Sequence, residues 1–554
     1  MNKLYKIACM MLTGIALLAT TSCSDPDDEI TTANLDRLLR PAELELKVYD
    51  KINIKASMDF VTVPDYVDVV VEINDNPLSE TKAFKPYRNY TINAKETTTH
   101  TTHVTATTNI TDLTYFKDYR VTFTARDASG KTSKGSTAVA TTDGIFKDTN
   151  DNDRTNNSLA VKWPAEVKVS KVRAMKMNNG VEELIGEKNI DTAAQEAGRF
   201  VYPGLEANTE YVFYIFNGDD CLGRTSDTTF PNYQELKAGN NIDFAAAIAN
   251  LADGEALLLS PADDGTNEFT FSSEDGTASS KTLVLGSKPL RIFGRTTKPV
   301  IINSMSFDLG TADEAAGGLT VENVKFIEPK KGNALLKFTN ATGEYKFIGV
   351  EVEGYKNFAQ DPGGSSVCEV NLLEVKNCFM HDGISGRWMD FQKKLTWIKK
   401  IDLQQNTFAE ICNGQDFLRY DYYAEKMPDI KIANNSFYKV NASSKGIVYV
   451  RSGAADTQEF KAEISKNVFE SCKNDTYFSE DAKTNGLSFS KNYYKDSDKL
   501  LEPFSAGQTA YDPSPQSYIG KSAFKDPDNK DFTITNLTIL NAGAGNTDFT
   551  KKSE

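Results

Sequence analysis

Three short stretches, "WMDF", "FLRY" and "YVRS", each set one charged residue among aromatic or aliphatic neighbours: Asp390, Arg419 and Arg451. Counted from the aromatic residue of a phrase that recurs upstream, Asp390 lies 11 residues after Phe379, Arg419 lies 11 after Phe408, and Arg451 lies 14 after Phe437. The extra three residues of the last fall in "NASSKG". This alignment predicts that the three charges stack on successive parallel strands, about 4.8 Å apart. Arg387, and the lysines of "FQKKLTWIKK" (Lys393, Lys394, Lys399 and Lys400), would add positive charge beside them. Guanidinium groups pair bidentately with carboxylates, and aromatic rings stack on sugar rings, so an acidic polysaccharide is the ligand such a row would suit. The plainer reading is a cross-coil ion pair between Asp390 and Arg419, with Arg451 turned to water.

The rest of the chain limits the alternatives. Its 554 residues carry 77 acidic and 62 basic side chains, a net charge of −15 that disfavours nucleic acid or an anionic membrane surface as partner. Five cysteines beyond the first 23 residues (Cys221, Cys368, Cys378, Cys412 and Cys472) are odd in number and lack CxxC spacing, which argues against a disulfide framework or a zinc site and for small core residues. Of three histidines, His100 and His103 in "THTTHVT" are expected on opposite faces of one strand, so neither a histidine metal site nor a Ser-His triad is expected. No cofactor is required by any motif.

The elements that must position the charged row come in two kinds. Residues 41–143 alternate short β-rich runs with polar turns, and 144–233 repeat the plan, as expected of two small β-sandwiches. Both close on a Leu six residues before a Tyr, Leu113 with Tyr119 and Leu205 with Tyr211, and the two tyrosines are 92 residues apart. This resembles the L-x-P-x-T-x-Y corner of fibronectin type III domains, although neither copy has the proline and only the second keeps the threonine, Thr209. The resemblance implies spacer modules. Between them, "KDTNDNDRTNN" offers calcium-type oxygen ligands, but it fails the EF-hand template at Asp153 and Leu159 and is expected to be a solvated hinge.

From residue 238 to 545 the texture changes. A run with Phe244, Ile248 and Leu251 at helical spacing is expected to cap the open end of a stack. Then "LLEVKNCFMHD", "IDLQQNTFAEI", "IKIANNSFYKV", "AEISKNVFESC" and "LSFSKNYYKD" each end a strand in Asn with an aromatic two residues on. The asparagines, Asn377, Asn406, Asn435, Asn467 and Asn492, are 29, 29, 32 and 25 residues apart, a period that means a solenoid. Asparagine tolerates a left-handed bend and can hydrogen-bond along the stack, so these five are expected to form a structural ladder with the aromatics inside. Phe after the Asn, and further strand-like runs instead of helices, favour a parallel β-helix over leucine-rich repeats.

"IKIANNSFYKV" resembles the repeats of pectate-lyase-like right-handed β-helix proteins. The fold expected for the chain is therefore all-β: two fibronectin type III-like sandwiches followed by a right-handed parallel β-helix. On a catalytic face this resemblance implies β-elimination of a uronate polymer, with Arg419 or Arg451 as base and Asp382, Asp390, Asp416 and Asp421 as calcium ligands. Hydrolysis is less favoured, because adjacent coils offer an Asp beside an Arg and not two acids.

The first residues, "MNKLYKIACMMLTGIALLATTSC", read as an export signal over 1–22, and "ATTSCSD" resembles a bacterial lipobox that would leave Cys23 lipidated. The acidic stretch that follows, within 23–40, looks like the tether of Bacteroidetes surface lipoproteins. The whole layout resembles the fibronectin-plus-β-helix lipoproteins among the polysaccharide-utilisation proteins of that phylum. It implies an outer-membrane, outward-facing protein, beside other glycan-uptake proteins, and with the arginine row the first expectation is a glycan-binding protein that retains an acidic polysaccharide, of which pectin is one candidate. The alternatives are a polysaccharide lyase and a structural or protein-binding surface component.

Overall fold

The computed structural model describes residues 44–549 apart from 61–63, 75–82, 94–97, 101–102, 362–366, 384–385, 394, 413, 422–425, 441–445, 452–460, 473–475, 479–486, 503–511, 514 and 519. The export signal, Cys23, the tether, Lys394 and most of the "NASSKG" loop lie outside the described residues. The chain divides into two compact units between Phe230 and Pro231.

The first unit holds two antiparallel sandwiches. In the first, strands Leu44–Tyr49, Asn53–Phe60, His103–Ile110 and Thr98–His100 form one sheet, and Phe84–Asn93, Tyr66–Asn74, Asp118–Arg126 and Ser136–Thr141 the other. Strict alternation drives this: in "YVDVVVEIN" Val67, Val69 and Val71 point inward and are fully buried against Ile54, Ala56, Met58, Tyr119, Val121 and Phe123. The second sandwich pairs Arg199–Pro203 with Ser158–Lys162 and orders Val181–Asn189, Lys171–Asn178, Glu210–Asn217 and Asp220–Thr228 in the opposing sheet. Both have the fibronectin type III arrangement. The Leu–Tyr repeat is explained by its geometry: the Tyr119 hydroxyl accepts from the Thr114 amide at 2.8 Å, and the Tyr211 hydroxyl from the Glu206 amide at 2.8 Å. A buried tyrosine anchoring the turn before its own strand does not need the missing proline.

Two expectations are revised here. The chain reverses between His100 and His103, which are direct cross-strand partners and not alternate residues of one strand. "DTNDND" is no solvated hinge: Asn150 caps a short 3-10 turn, Asp151–Asp153, whose two aspartates are buried. Asp151 is paired with Arg154, and Asp153 with Lys162 at 2.8 Å and Arg199 at 3.1 Å. Their carboxylates are already committed to cations of the chain, which is what permits their burial.

The second unit is a parallel β-solenoid. Its three faces carry ten, eleven and eight strands among the described residues, all paired in parallel between successive coils. One coil shows the plan: Cys368–Lys376 on the first face, a tight bend, Phe379–His381 on the second, a second bend, Met389–Phe391 on the third, and then Thr396–Gln404 back on the first. The helix Phe244–Ala249, capped by Asp243, sets the buried Phe244 against Phe269 and Phe271 in the first coils.

At the first bend a side-chain ladder runs through Asn406, Asn435, Asn467 and Asn492. Each Oδ1 accepts from the backbone amide one coil back, at 2.9–3.0 Å, and each Nδ2 donates to a carbonyl of the preceding coil: Val375, Leu403, Ile432 and Ile464. The left-handed residue is the one before each ladder asparagine: Gln405, Asn434, Lys466 and Lys491, with φ between 54° and 58°. Asn377, φ 53°, belongs to this bend position and is exposed, while Cys378 occupies the ladder position beneath Asn406. The first rung is thus shifted by one residue from the spacing-based alignment: Phe379 pairs with Thr407, and Met380 pairs with Phe408.

Inside, Phe408, Phe437, Phe469 and Tyr494 stack at 5.0, 4.7 and 5.5 Å, and all five described cysteines are buried thiols outside any disulfide. Outside the second face lies a segment the periodicity reads as more coils. The hairpin Phe524–Asp526/Asp531–Ile534 and the helix Leu537–Asn541 form a strap whose Phe524, Phe532, Ile534 and Ile539 pack on Ala409, Tyr438, Val468 and Tyr493. This is why Phe379 faces outward. It meets Phe532 at 5.6 Å and Phe549 at 5.4 Å, so the one-residue shift gives the strap an aromatic seat.

Candidate functional site

The charged row lies on the third face, and its strands build it from the inside out. Met389, Phe391, Leu418, Tyr420 and Val448 fill the core, which turns Asp390, Arg419 and Tyr449 outward by alternation. Register places Gln360, Asp390, Arg419 and Tyr449 in line on successive coils. Arg451 does not stand above Arg419. It is two residues further along its strand, opposite Asp421, because the preceding loop absorbs one extra residue and not three.

Arg387 serves two aspartates and Arg419 one. Arg387 donates through Nη1 to Asp390 Oδ2 and through Nε to Asp416 Oδ2, both at 3.3 Å. Arg419 holds Asp421 with two parallel bonds, Nε to Oδ1 at 2.9 Å and Nη2 to Oδ2 at 3.1 Å, and its guanidinium lies 4.9 Å from the Tyr449 ring centroid. The hydrogen bond to Asp421 raises the Arg419 pKa further above its already high value. The cross-coil neighbours Asp390 and Arg419 are therefore not each other's hydrogen-bond partners; each is bonded within its own coil. Asp390 Oδ1 is buried and has no hydrogen-bond partner among the described residues.

Sequence reasoning missed two members. Asp361, after the strand Asn357–Gln360, accepts from the Lys393 amide and the Thr396 hydroxyl, each at 2.6 Å. Burial, with the nearby Asp390 charge adding to it, pushes its pKa up to about 6. Counting one coil further back reaches its neighbour Gln360, which stands opposite Asp390. Tyr449 stood in the quoted "YVRS" but was displaced by the three-residue loop allowance. With Asp361 present, adjacent coils do carry two acids, yet Asp361 is buried and already engaged by the Thr396 hydroxyl and the Lys393 amide, away from a substrate on the outer surface.

The remaining candidates are distributed elsewhere. Lys399 and Lys400 are on the first face, bonded to Asn371 and Asp402. Trp388 is in the core, stacked between Phe358 and Phe417 at 4.8 and 4.9 Å. The proposed calcium ligands Asp382, Asp416 and Asp421 are not brought together: the last two are buried against Arg387 and Arg419, whereas Asp382 sits at the bend after the second-face strand. There it is bonded to His381 Nδ1 at 2.7 Å and to Lys530 of the strap; the hydrogen bond from His381 leads in holding its pKa well below the usual carboxylate range.

Asp361 yields a pH prediction. A carboxyl whose folded pKa lies above its unfolded value contributes stability that is fully present below about pH 4 and is lost as pH rises through about 6, a loss of order 3 kcal/mol for two units. Asp361→Asn keeps an acceptor for the Lys393 amide and removes the titration. Its stability relative to the parent chain is expected to rise between pH 4 and 6.5 and to level off above, as measured by urea unfolding of the solenoid transition at each pH.

Residues 430–547 match a family model described as a domain of unknown function, DUF5123, and this span takes in the last coils and the strap. A comparison with curated proteins returns no match. Among solved structures, a two-domain fibronectin type III segment of chicken tenascin is similar at 16% identity, over 34% of this chain and 97% of that one, with a TM-score of 0.18. The first three fibronectin domains of chicken CNTN1 are similar at 12% identity, over 35% and 68% of the two chains, with a TM-score of 0.13.

Proposed function

We propose that this chain is a non-catalytic, glycan-binding lipoprotein of the bacterial cell surface, anchored through Cys23, with the sandwiches as spacers and the third solenoid face as the docking surface. The observation that carries the reading is the outward row Asp390–Arg419–Tyr449 with its flanking Arg387. Arg419 is held by a bidentate pair to Asp421 within one strand, and Asp390 by Arg387, so little side-chain entropy is lost on binding. An aromatic ring beside a fixed guanidinium offers a flat surface for a sugar ring.

The same charge pattern narrows the ligand. Among the described side chains, two guanidiniums, of Arg387 and Arg419, stand with four carboxylates (Asp361, Asp390, Asp416 and Asp421), so an unscreened polyuronate would meet neutralised arginines and surplus negative charge. Sugar hydroxyls, which both donate and accept, suit the row better than the carboxylates from which an acidic ligand is expected on sequence grounds. A lyase reading is weakened by the same geometry, since Arg419 as base would have to release a proton that Asp421 holds in place.

The test is affinity electrophoresis of the full chain in gels cast with neutral plant polysaccharides or with polygalacturonate. Retardation by a neutral polymer, reduced tenfold or more by Tyr449→Ala and by Arg419→Gln, with no ultraviolet-absorbing unsaturated product, is the expected result. Equal retardation of the parent and both variants would remove the third face from the account. Product formation would establish the lyase, and no retardation in any gel would favour a protein-binding role.

A further inference from the structure

Away from that face, the second face carries a cluster whose chemistry the glycan reading does not use. Glu351 and Glu353 project outward from the strand Glu351–Glu353, and His381 comes from the next coil, directly opposite Glu353. One ligand atom from each of the three lies within 4.8 Å of the others. His381 Nε2 is 3.1 Å from Glu351 Oε1 and 3.9 Å from Glu353 Oε2. A four-coordinate ion with bonds of about 2.0–2.1 Å requires ligand atoms roughly 3.3 Å apart, so small rotations of the glutamates suffice.

Two further observations point to a cation. The imidazole is 3% exposed, and its Nδ1 is 2.7 Å from Asp382 Oδ2, a contact that directs Nε2 at the two glutamates. A carboxylate behind the distal nitrogen is the arrangement that orients metal-bound histidines. In addition, the Lys325 ammonium sits between the same two glutamates, 2.8 Å from Glu351 and 2.9 Å from Glu353, a positive charge already seated where the carboxylates converge. Lys325 and Glu353 are both about one quarter exposed, so the lysine can swing into water and a water can complete the coordination.

We propose that Glu351, Glu353 and His381 form a binding site for a divalent transition ion of the zinc type, which displaces the Lys325 ammonium. One nitrogen and two carboxylate oxygens suit zinc or cobalt better than calcium, which takes six to eight oxygens. The bound ion leaves Asp382 in the outer shell, tied to His381 on one side and to Lys530 of the strap on the other.

The experiment is titration of the full chain with cobalt(II) and zinc(II), followed by calorimetry and by visible absorption of the cobalt form. The only other histidines, His100 and His103, are a cross-strand pair, so all measurements use a His100→Ala background. One equivalent should bind, with absorption of a four- or five-coordinate site. Lys325→Met should bind at least tenfold tighter, and His381→Ala should lose the site. Uptake unchanged by His381→Ala would overturn the proposal, as would absence of binding in both the parent chain and Lys325→Met. The lysine variant retains all three ligands, so it separates a missing site from a misfolded histidine variant.

Discussion

Asn435→Ala is expected to destabilise the solenoid by about 3–5 kcal/mol, because it strands several fully buried polar groups at once. Asn435 Oδ1 accepts from the Asn406 amide and side chain, and its Nδ2 donates to Leu403 O and Asn467 Oδ1. Alanine leaves the Asn406 amide and the Leu403 carbonyl unpaired in a site that water does not reach, and breaks the ladder in its middle. Asn377→Ala is the informative control. Asn377 is exposed at the bend and contributes no rung, so it should cost only the about 1 kcal/mol of an alanine in left-handed backbone. Urea midpoints of the two variants measure the contrast directly; equal losses would mean that the hydrogen-bonded stack is not what holds the coils in register.

Phe532→Ala is expected to cost a similar 3–5 kcal/mol, the range for truncating a buried aromatic residue. Phe532 is 1% exposed and meets Phe379, Tyr438, Phe524 and Phe549 at 5.5–5.7 Å, so one substitution empties the centre of the contact between strap and solenoid. The loss should be local. Amide exchange should accelerate across 524–549 and at the outward residues Ala409, Tyr438 and Val468, while the ladder amides stay protected. Uniform acceleration through the coils would instead make the strap a part of the core.

These two variants also mark what the sequence makes legible. The Leu113/Tyr119 and Leu205/Tyr211 repeats announce the sandwiches because a tyrosine corner is a local device, written within six residues. The asparagine period announces the solenoid because every rung needs the same amide at the same bend. What escapes is non-local. The outward row Thr407, Ser436, Val468 and Tyr493 differs from a solvent-facing row only by being small or apolar, and nothing in its spacing says that residues about 100 positions later return to cover it. The shifted first rung follows from that covering, since Phe379 turns outward to meet Phe532 and Phe549.

At the candidate site, the outward positions of Asp390 and Arg419 follow from strand alternation and are readable. Their hydrogen-bond partners are not. Asp421 sits two residues from Arg419 on the same strand, and Asp416 reaches Arg387 from a coil away, so counting by coils pairs Asp390 with Arg419, where the chemistry pairs each with a neighbour. Arg451 shows the limit of aligning across loops: one residue of misjudged loop length moves a side chain to the other face, and two move it along the row.

Differential hydrogen exchange of the full chain, with and without a retained polysaccharide, reads out whether a sugar chain occupies the third face. Glycan docking there should concentrate protection in Met389–Phe391, Leu418–Asp421 and Gly446–Arg451, with the first-face strands Thr396–Gln404 and Asp429–Ala433 unchanged. Protection confined to the first face or to the sandwiches, with the third face unaltered, would contradict it.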